Sequence, residues 1–291
     1  MNAWRDIGRD ITPEMRENLP FCSEAILERA VHEVVIEGRT YEYVLYPGRR
    51  TDTCVHFSAF FGEWGDRSEN RSQYQGHFHR LRMFWPIAEF GFIFVCDTSG
   101  ADGNGSYYKG EAMDFFVERA FDQIFDTALP EASSVVGIGS SMGATGALRF
   151  ALRRGWLGAI AVTPNIDLDI SAVLQGRRRH VAEILGHEDV QDKTAYGVTR
   201  EIRELAATVP PTTHIVIQSI CDDDGVHQEQ VLPFVSQWAE RGGTIRLDER
   251  STGGHTSEYA TQDWFARQID WCFDGSQRRS QAAHGRPDGL S

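Results

Sequence analysis

Apolar positions along this chain fall into two rhythms. Residues 31–37 and 41–46 alternate apolar with polar side chains around Glu37-Gly38-Arg39-Thr40, the pattern of an antiparallel hairpin with one face in water. From Cys54 onward the rhythm changes to short continuous apolar runs, at 54–57, 92–96, 135–138, 159–162, 214–220 and 244–247. Each predicts a strand buried on both faces. Helical spacing fills 111–129, 142–153 and 226–241 between them. Strands alternating with helices predict right-handed crossovers and an α/β fold: a mostly parallel central sheet, helices on both faces, and an N-terminal antiparallel hairpin. One stretch, 166–212, contains no strand pattern and is read as a helical insertion, or lid, preceding the strand at 214–220.

The domain organisation follows from the same pattern. Residues 29–274 form the α/β domain, 1–28 a lead-in, and 275–291 a polar, Arg- and Gly-containing tail expected to be disordered. The chain has 291 residues, 41% of them hydrophobic and 24% charged, which is ordinary for a globular domain with a full core. The net charge of −13 argues against nucleic-acid binding, which depends on basic residues neutralising phosphates. Five cysteines stand singly, without a CxxC pair, so a disulfide framework is not expected. The N-terminus is too charged for a signal peptide, and no apolar run approaches the ~20 residues of a membrane span. The expectation is a cytoplasmic protein.

Candidate chemistry starts at Gly139-Ser140-Ser141-Met142-Gly143, between a predicted strand and a predicted helix. A G-x-S-x-G in this context lifts a serine out of the sheet on a sharp turn that small neighbours permit. The helix that follows points its free N–H groups and dipole at a developing oxyanion. Ser141, at the apex, is the expected nucleophile; Ser140 precedes the apex. The N–H of Met142 is the first expected oxyanion donor. The second comes from the loop after 54–57, where Ala59 holds the expected place and Phe60 is the alternative.

Two later loops follow strand ends, where open α/β sheets place their sites. After 214–220 comes Cys221-Asp222-Asp223-Asp224-Gly225-Val226-His227, and after 244–247 comes Ser251-Thr252-Gly253-Gly254-His255. The order serine, acid, histidine fits a nucleophile–acid–base set. His255 is the expected base. Asp224 is the first choice of acid, ahead of Asp223 and then Asp222, the others being candidates to cap the next helix.

Assembled in order, these blocks resemble the capsular-polysaccharide O-acetyltransferases of the α/β-hydrolase superfamily, and more distantly capsule-biosynthesis and accessory-secretion proteins. The resemblance rests on Phe57-Ser58-Ala59-Phe60, Asp97 with Gly105-Ser106-Tyr107-Tyr108, the serine block with Gly146-Ala147-Leu148, Asp223-Asp224 with His227, and Ser251-Thr252-Gly253-Gly254-His255. It implies an α/β-hydrolase fold and a triad of Ser141, Asp224 and His255. It also implies acetyl transfer from acetyl-CoA to a carbohydrate hydroxyl through an acetyl-serine. The position after the nucleophile, commonly lysine in that family, is Met142 here.

Remaining features are secondary. Tyr107 and Tyr108 follow a Gly-rich loop and are candidate substrate contacts, with loop anchoring the alternative. Arg177-Arg178-Arg179 in the insertion could receive donor phosphates, against a solvated helix face. His77 and His79 have metal-like spacing without a third ligand, so no metal and no resident cofactor are expected. Trp64, Trp85, Trp264 and Trp271 read as packing residues. The expected function is serine-dependent acyl transfer. The alternatives are a serine esterase or hydrolase using the same three residues, and a non-catalytic scaffold of the same fold.

Overall fold

The computed structural model describes residues 31–46, 52–59, 80–84, 90–100, 105–129, 134–223 and 225–284. The lead-in 1–28, Phe60, Trp64, His77, His79, Trp85 and Asp224 lie outside them.

Eight strands form one sheet. They are β1 (Val31–Ile36), β2 (Arg39–Tyr46), β3 (Thr53–Phe57), β4 (Gly91–Val95), β5 (Val135–Ser140), β6 (Gly158–Val162), β7 (His214–Ile220) and β8 (Ile245–Arg250), in the order β1-β2-β4-β3-β5-β6-β7-β8. The pairs β1/β2 and β2/β4 are antiparallel and all the rest parallel. The alternating hairpin and the buried runs are thus the two parts the sequence predicts. β8 differs from expectation. As the last strand of the sheet it has no partner on its far side among the described residues, and Arg246, Asp248, Glu249 and Arg250 leave it half-exposed. Charges on an edge strand also discourage pairing with other chains.

Side-chain alternation along the central strands feeds two cores. On one face, Val55 and Phe57 of β3 pack with helix α1 (Phe116–Ala128) and helix α2 (Met142–Arg154). Phe57 stacks on Phe150 with centroids 5.5 Å apart and meets Tyr108 edge-on at 5.0 Å. On the other face, Cys54, Phe92, Phe94, Ile138 and Ile160 pack against Trp264, Phe265, Ile269 and Cys272. These last four belong to the closing helix, which runs from Gln262 to His284. That helix therefore continues past residue 274, into the segment whose polarity suggests disorder. Trp264 is the packing residue its sequence context predicts, and its indole N–H donates to Asp248 Oδ2 at 2.7 Å. No helix among the described residues is long and apolar enough to cross a membrane.

Between β6 and β7 the chain forms only helices: α3 (Leu168–Leu174), α4 (Arg178–Leu185), a short turn, and α5 (Glu201–Thr208). Buried charges attach this insertion to the domain. Arg149 of α2, 1% exposed, donates to Glu201 Oε2 at 2.6 Å and to the Tyr108 carbonyl at 3.0 Å. Lys109 also pairs with Glu201. Two arginines then tie the start of α5 to the start of α3. Arg203 grips Asp167 through Nε (2.9 Å) and Nη2 (2.7 Å), and Arg200 grips Asp169 at 3.0 and 2.7 Å.

Burial opposes the charge on Glu201, but Lys109 and Arg149 outweigh it and hold its carboxyl at about 2. A folded-state value below the unfolded one (~4.3) stabilises the protein above that range, and the contribution fades as pH falls towards 2. Glu201→Gln leaves two buried cations underpaired, and we expect it to cost about 3–5 kcal/mol. Denaturant unfolding between pH 7 and pH 3 checks this: the gap between wild type and variant narrows as the pH falls.

Candidate active site

Because β4, β3, β5, β6, β7 and β8 are mutually parallel, the loops after them open at one edge of the sheet. Ser141 stands between β5 and α2 with φ 51° and ψ −121°. A side chain other than glycine seldom adopts positive φ, and such strain is characteristic of a nucleophile held on a sharp strand-to-helix turn. Its neighbours explain why the turn forms. A Cβ on Gly139 would sit 2.1 Å from the Gly143 carbonyl oxygen, and one on Gly143 would sit 2.2 Å from the Phe57 carbonyl oxygen. Only glycine at both positions lets α2 start directly against β5 and β3. The Ser141 N–H donates to Val162 O at 2.8 Å, which fixes the turn to β6.

His255, on the loop after β8, reaches back across the sheet edge. Its Nε2 lies 2.8 Å from Ser141 Oγ, and its Nδ1 lies 2.7 Å from Asp223 Oδ2. With the ring proton on Nδ1, the imidazole donates to the carboxylate and accepts from the serine hydroxyl, so one tautomer satisfies both contacts. The carboxylate on His255 is therefore Asp223, where the sequence favours Asp224. The turn that carries Asp223 is set by its own N–H to Ile220 O (3.1 Å) and by Val226 and His227 N–H to Asp223 O. That geometry aims the Asp223 carboxylate at the imidazole. Asp223 is 8% exposed and His255 keeps a quarter of its side chain in solvent.

Asp222 has a different task from the helix cap the sequence suggests. Its two carboxylate oxygens accept from Gly253 N–H at 3.1 Å and Gly254 N–H at 2.7 Å. Those amides, Gly254 foremost, hold its carboxyl below the usual range. Both glycines have positive φ, 135° and 61°, so the Gly253-Gly254 pair supplies the backbone that turns its amides to Asp222 and its next side chain to Ser141.

The insertion reaches the same cluster through Gln175, which follows α3. Gln175 Nε2 donates to Asp223 Oδ1 at 3.2 Å and lies 3.4 Å from His255 Nδ1, and its carbonyl accepts from Asn165. Gln230 is buried beneath: its Oε1 accepts from Ile166 and Asp167 N–H (2.8 and 2.9 Å), and its Nε2 donates to Gly225 O at 2.6 Å. Neither glutamine carries a sequence signal, because each is defined by partners tens of residues away. Of the insertion arginines, Arg178 donates to Glu188 O and Arg179 pairs with Glu183, both at exposed positions.

The two expected oxyanion donors flank the serine turn. Met142 opens α2, whose first N–H groups lack intrahelical partners; its side chain is buried against Gly105. Ala59 follows Ser58, whose carbonyl oxygen lies 2.9 Å from where a Gly143 Cβ would be. Tyr107 and Tyr108, expected as substrate contacts, are buried in the core instead. The Tyr108 hydroxyl donates to Ser58 O at 2.8 Å, so it anchors the loop that carries Ala59. Burial pushes the Tyr107 hydroxyl up to about 12, with Arg177 partly opposing. Asp97, fully buried after β4, accepts from Ser106 and Tyr108 N–H (2.6 and 2.8 Å) and shapes this loop.

No family model matches the chain, and no curated protein matches it. Solved structures do. The capsule O-acetyltransferase of Neisseria meningitidis serogroup A is 18% identical with a TM-score of 0.60, over 84% of this chain and 99% of that one. The fold is the α/β-hydrolase fold. A mutant of the same enzyme in complex with CoA gives a TM-score of 0.61 at 19% identity, over 82% of this chain and 94% of that one. The acylaminoacyl peptidase of Pyrococcus horikoshii is 10% identical with a TM-score of 0.57, over 90% of this chain and 42% of that one. The α/β-hydrolase fold that the residue blocks imply is thus present, and its relation to the capsule O-acetyltransferases is one of architecture.

The anchoring of the Ala59 loop is open to direct test. Tyr108→Phe removes a buried donor from the Ser58 carbonyl and is expected to cost about 1–3 kcal/mol of stability, measured by denaturant unfolding.

Proposed function

We propose that this protein is a serine acyltransferase that works through an acyl-enzyme on Ser141. The observation that carries the reading is the hydrogen-bonded series Ser141–His255–Asp223 at the carboxyl edge of the parallel sheet. In the first half-reaction Ser141 Oγ attacks the donor carbonyl while His255 Nε2 takes the hydroxyl proton. Asp223 accepts the Nδ1 hydrogen bond throughout and stabilises the imidazolium that forms. The oxyanion is held by the Met142 and Ala59 amides, reinforced by the positive end of α2. Collapse breaks the bond to the leaving group, which departs with the proton from His255. In the second half-reaction His255 deprotonates an acceptor hydroxyl, which attacks the acyl-serine; as the acyl–Oγ bond breaks, His255 returns the proton to Ser141 Oγ.

Acetyl-CoA is the proposed donor and a carbohydrate hydroxyl the proposed acceptor. Support comes from the residue blocks that resemble those of capsule O-acetyltransferases and from the structural relative seen with CoA. One observation favours a second reading, ester hydrolysis: His255 stands at an open edge with part of its ring in solvent, and an acyl-enzyme that water can reach hydrolyses. Incubation with acetyl-CoA, with and without a panel of polysaccharides, separates the two. Acceptor-dependent CoA release with acetylated product supports transfer. Equal release with and without acceptor supports hydrolysis, and inertness towards both acetyl-CoA and activated esters contradicts acyl chemistry.

Ser141→Ala is expected to lower turnover by several orders of magnitude, towards the roughly 10⁶-fold seen when such a serine is removed. Asp223→Asn is expected to lose about 10⁴-fold, as where the orienting aspartate was replaced. Asp224→Asn is expected to stay within about tenfold of wild type, since a residue outside the series leaves the imidazole oriented. Steady-state rates with an activated ester check all three.

A further inference from the structure

One buried imidazole has no part in the reaction proposed above. His227 is 2% exposed and opens a five-residue π-helical turn, His227–Val231; such turns gather at functional sites. Its Nδ1 lies 3.0 Å from Ser219 Oγ, and its Nε2 lies 3.3 Å from Glu249 Oε1. Cys221, a free and half-buried thiol at the end of β7, completes the group. The thiol sulfur, a ring nitrogen and a carboxylate oxygen all lie within 4.8 Å of one another. We infer that Cys221, His227 and Glu249 form a binding site for a borderline-soft divalent cation of the zinc class.

Three features of the geometry carry this. First, two nitrogen or oxygen ligands bound tetrahedrally to zinc at ~2.0–2.1 Å stand about 3.3 Å apart, which is the Nε2–Oε1 separation here. A thiolate at ~2.3 Å needs about 3.6 Å to each of them, a short side-chain adjustment from the spacing present. Second, the scaffold is rigid. Ser219 and Glu249 are cross-strand partners of β7 and β8, and Cys221 N–H donates to Arg250 O at 2.7 Å. Third, Ser219 can accept from Nδ1–H, which directs the Nε2 lone pair to an ion and supplies the outer hydrogen bond that ligating histidines use. In the ion-free state the serine hydroxyl donates instead, and Nε2–H turns to Glu249, so both states are satisfied.

Thiolate, imidazole and carboxylate together suit zinc and cobalt and are wrong for magnesium or calcium. The half-exposed Glu249 leaves room for water as a fourth ligand. On binding, the sulfur–metal bond forms as the Cys221 proton passes to solvent. The ligands bracket Asp222 and Asp223, and a bound ion would fix the turn that presents both carboxylates. That consequence rests on the function proposed above; the binding does not.

Cobalt(II) titration of the metal-free full-length chain tests the site. We expect a thiolate-to-cobalt charge-transfer absorption that saturates at one equivalent and is displaced by zinc. Cys221→Ser is expected to abolish the band, and Glu249→Gln, a surface change, to weaken cobalt affinity at least about tenfold. A chain that shows no such band, or one whose band persists in Cys221→Ser, overturns the assignment whatever the protein's activity.

Discussion

The close approach of helix α2 to strands β3 and β5 is the constraint on which the rest of the structure depends. Gly139 and Gly143 remove the two side-chain carbons that would keep the helix away. Ser141 is thereby forced into a left-handed backbone at the apex, with helix N–H groups directly after it. The same contact brings the Phe57–Ser58 carbonyls against the helix start, so the loop bearing Ala59 lies beside the serine turn.

The polar contacts then bring Asp223 and His255 to Ser141. Asp222 and Asp223 share one turn but serve different ends of one loop, the first holding the Gly253 and Gly254 amides and the second the His255 ring. The insertion is wired to this turn from two directions, through Gln175 on the carboxylate and Gln230 on the Gly225 carbonyl. Its far end is fastened to α2 by Arg149 and Glu201. The insertion is therefore joined to both helix α2 and the Asp223 turn through hydrogen bonds, which are costly to break when buried groups are left unpaired.

Much of this was legible in the chain. Runs of buried strand residues, the glycines around Ser141 and the Gly-Gly step before His255 each carry a local physical requirement, and each stands where that requirement predicts. What stayed hidden depends on geometry across the fold. That Asp223 is the carboxylate on His255 turns on the pitch of one tight turn, to which composition is blind. Tyr108 reads equally as a sugar contact or an anchor until the Ser58 carbonyl is found above its hydroxyl. The polar residues beyond 274 suggest disorder, yet the backbone continues as helix to His284 because apolar positions such as Phe265, Ile269 and Cys272 seat its first half on the sheet.

The central claim, that the hydroxyl of Ser141 is a nucleophile activated by His255, is tested most directly by covalent capture. The protein is treated with a fluorophosphonate, and the modified residue is located by peptide mass spectrometry in wild type and in His255→Ala. The account predicts stoichiometric modification of Ser141 alone, slowed by orders of magnitude in the variant. Modification at Ser140 or elsewhere, or a Ser141 that reacts equally well without the imidazole, would contradict it.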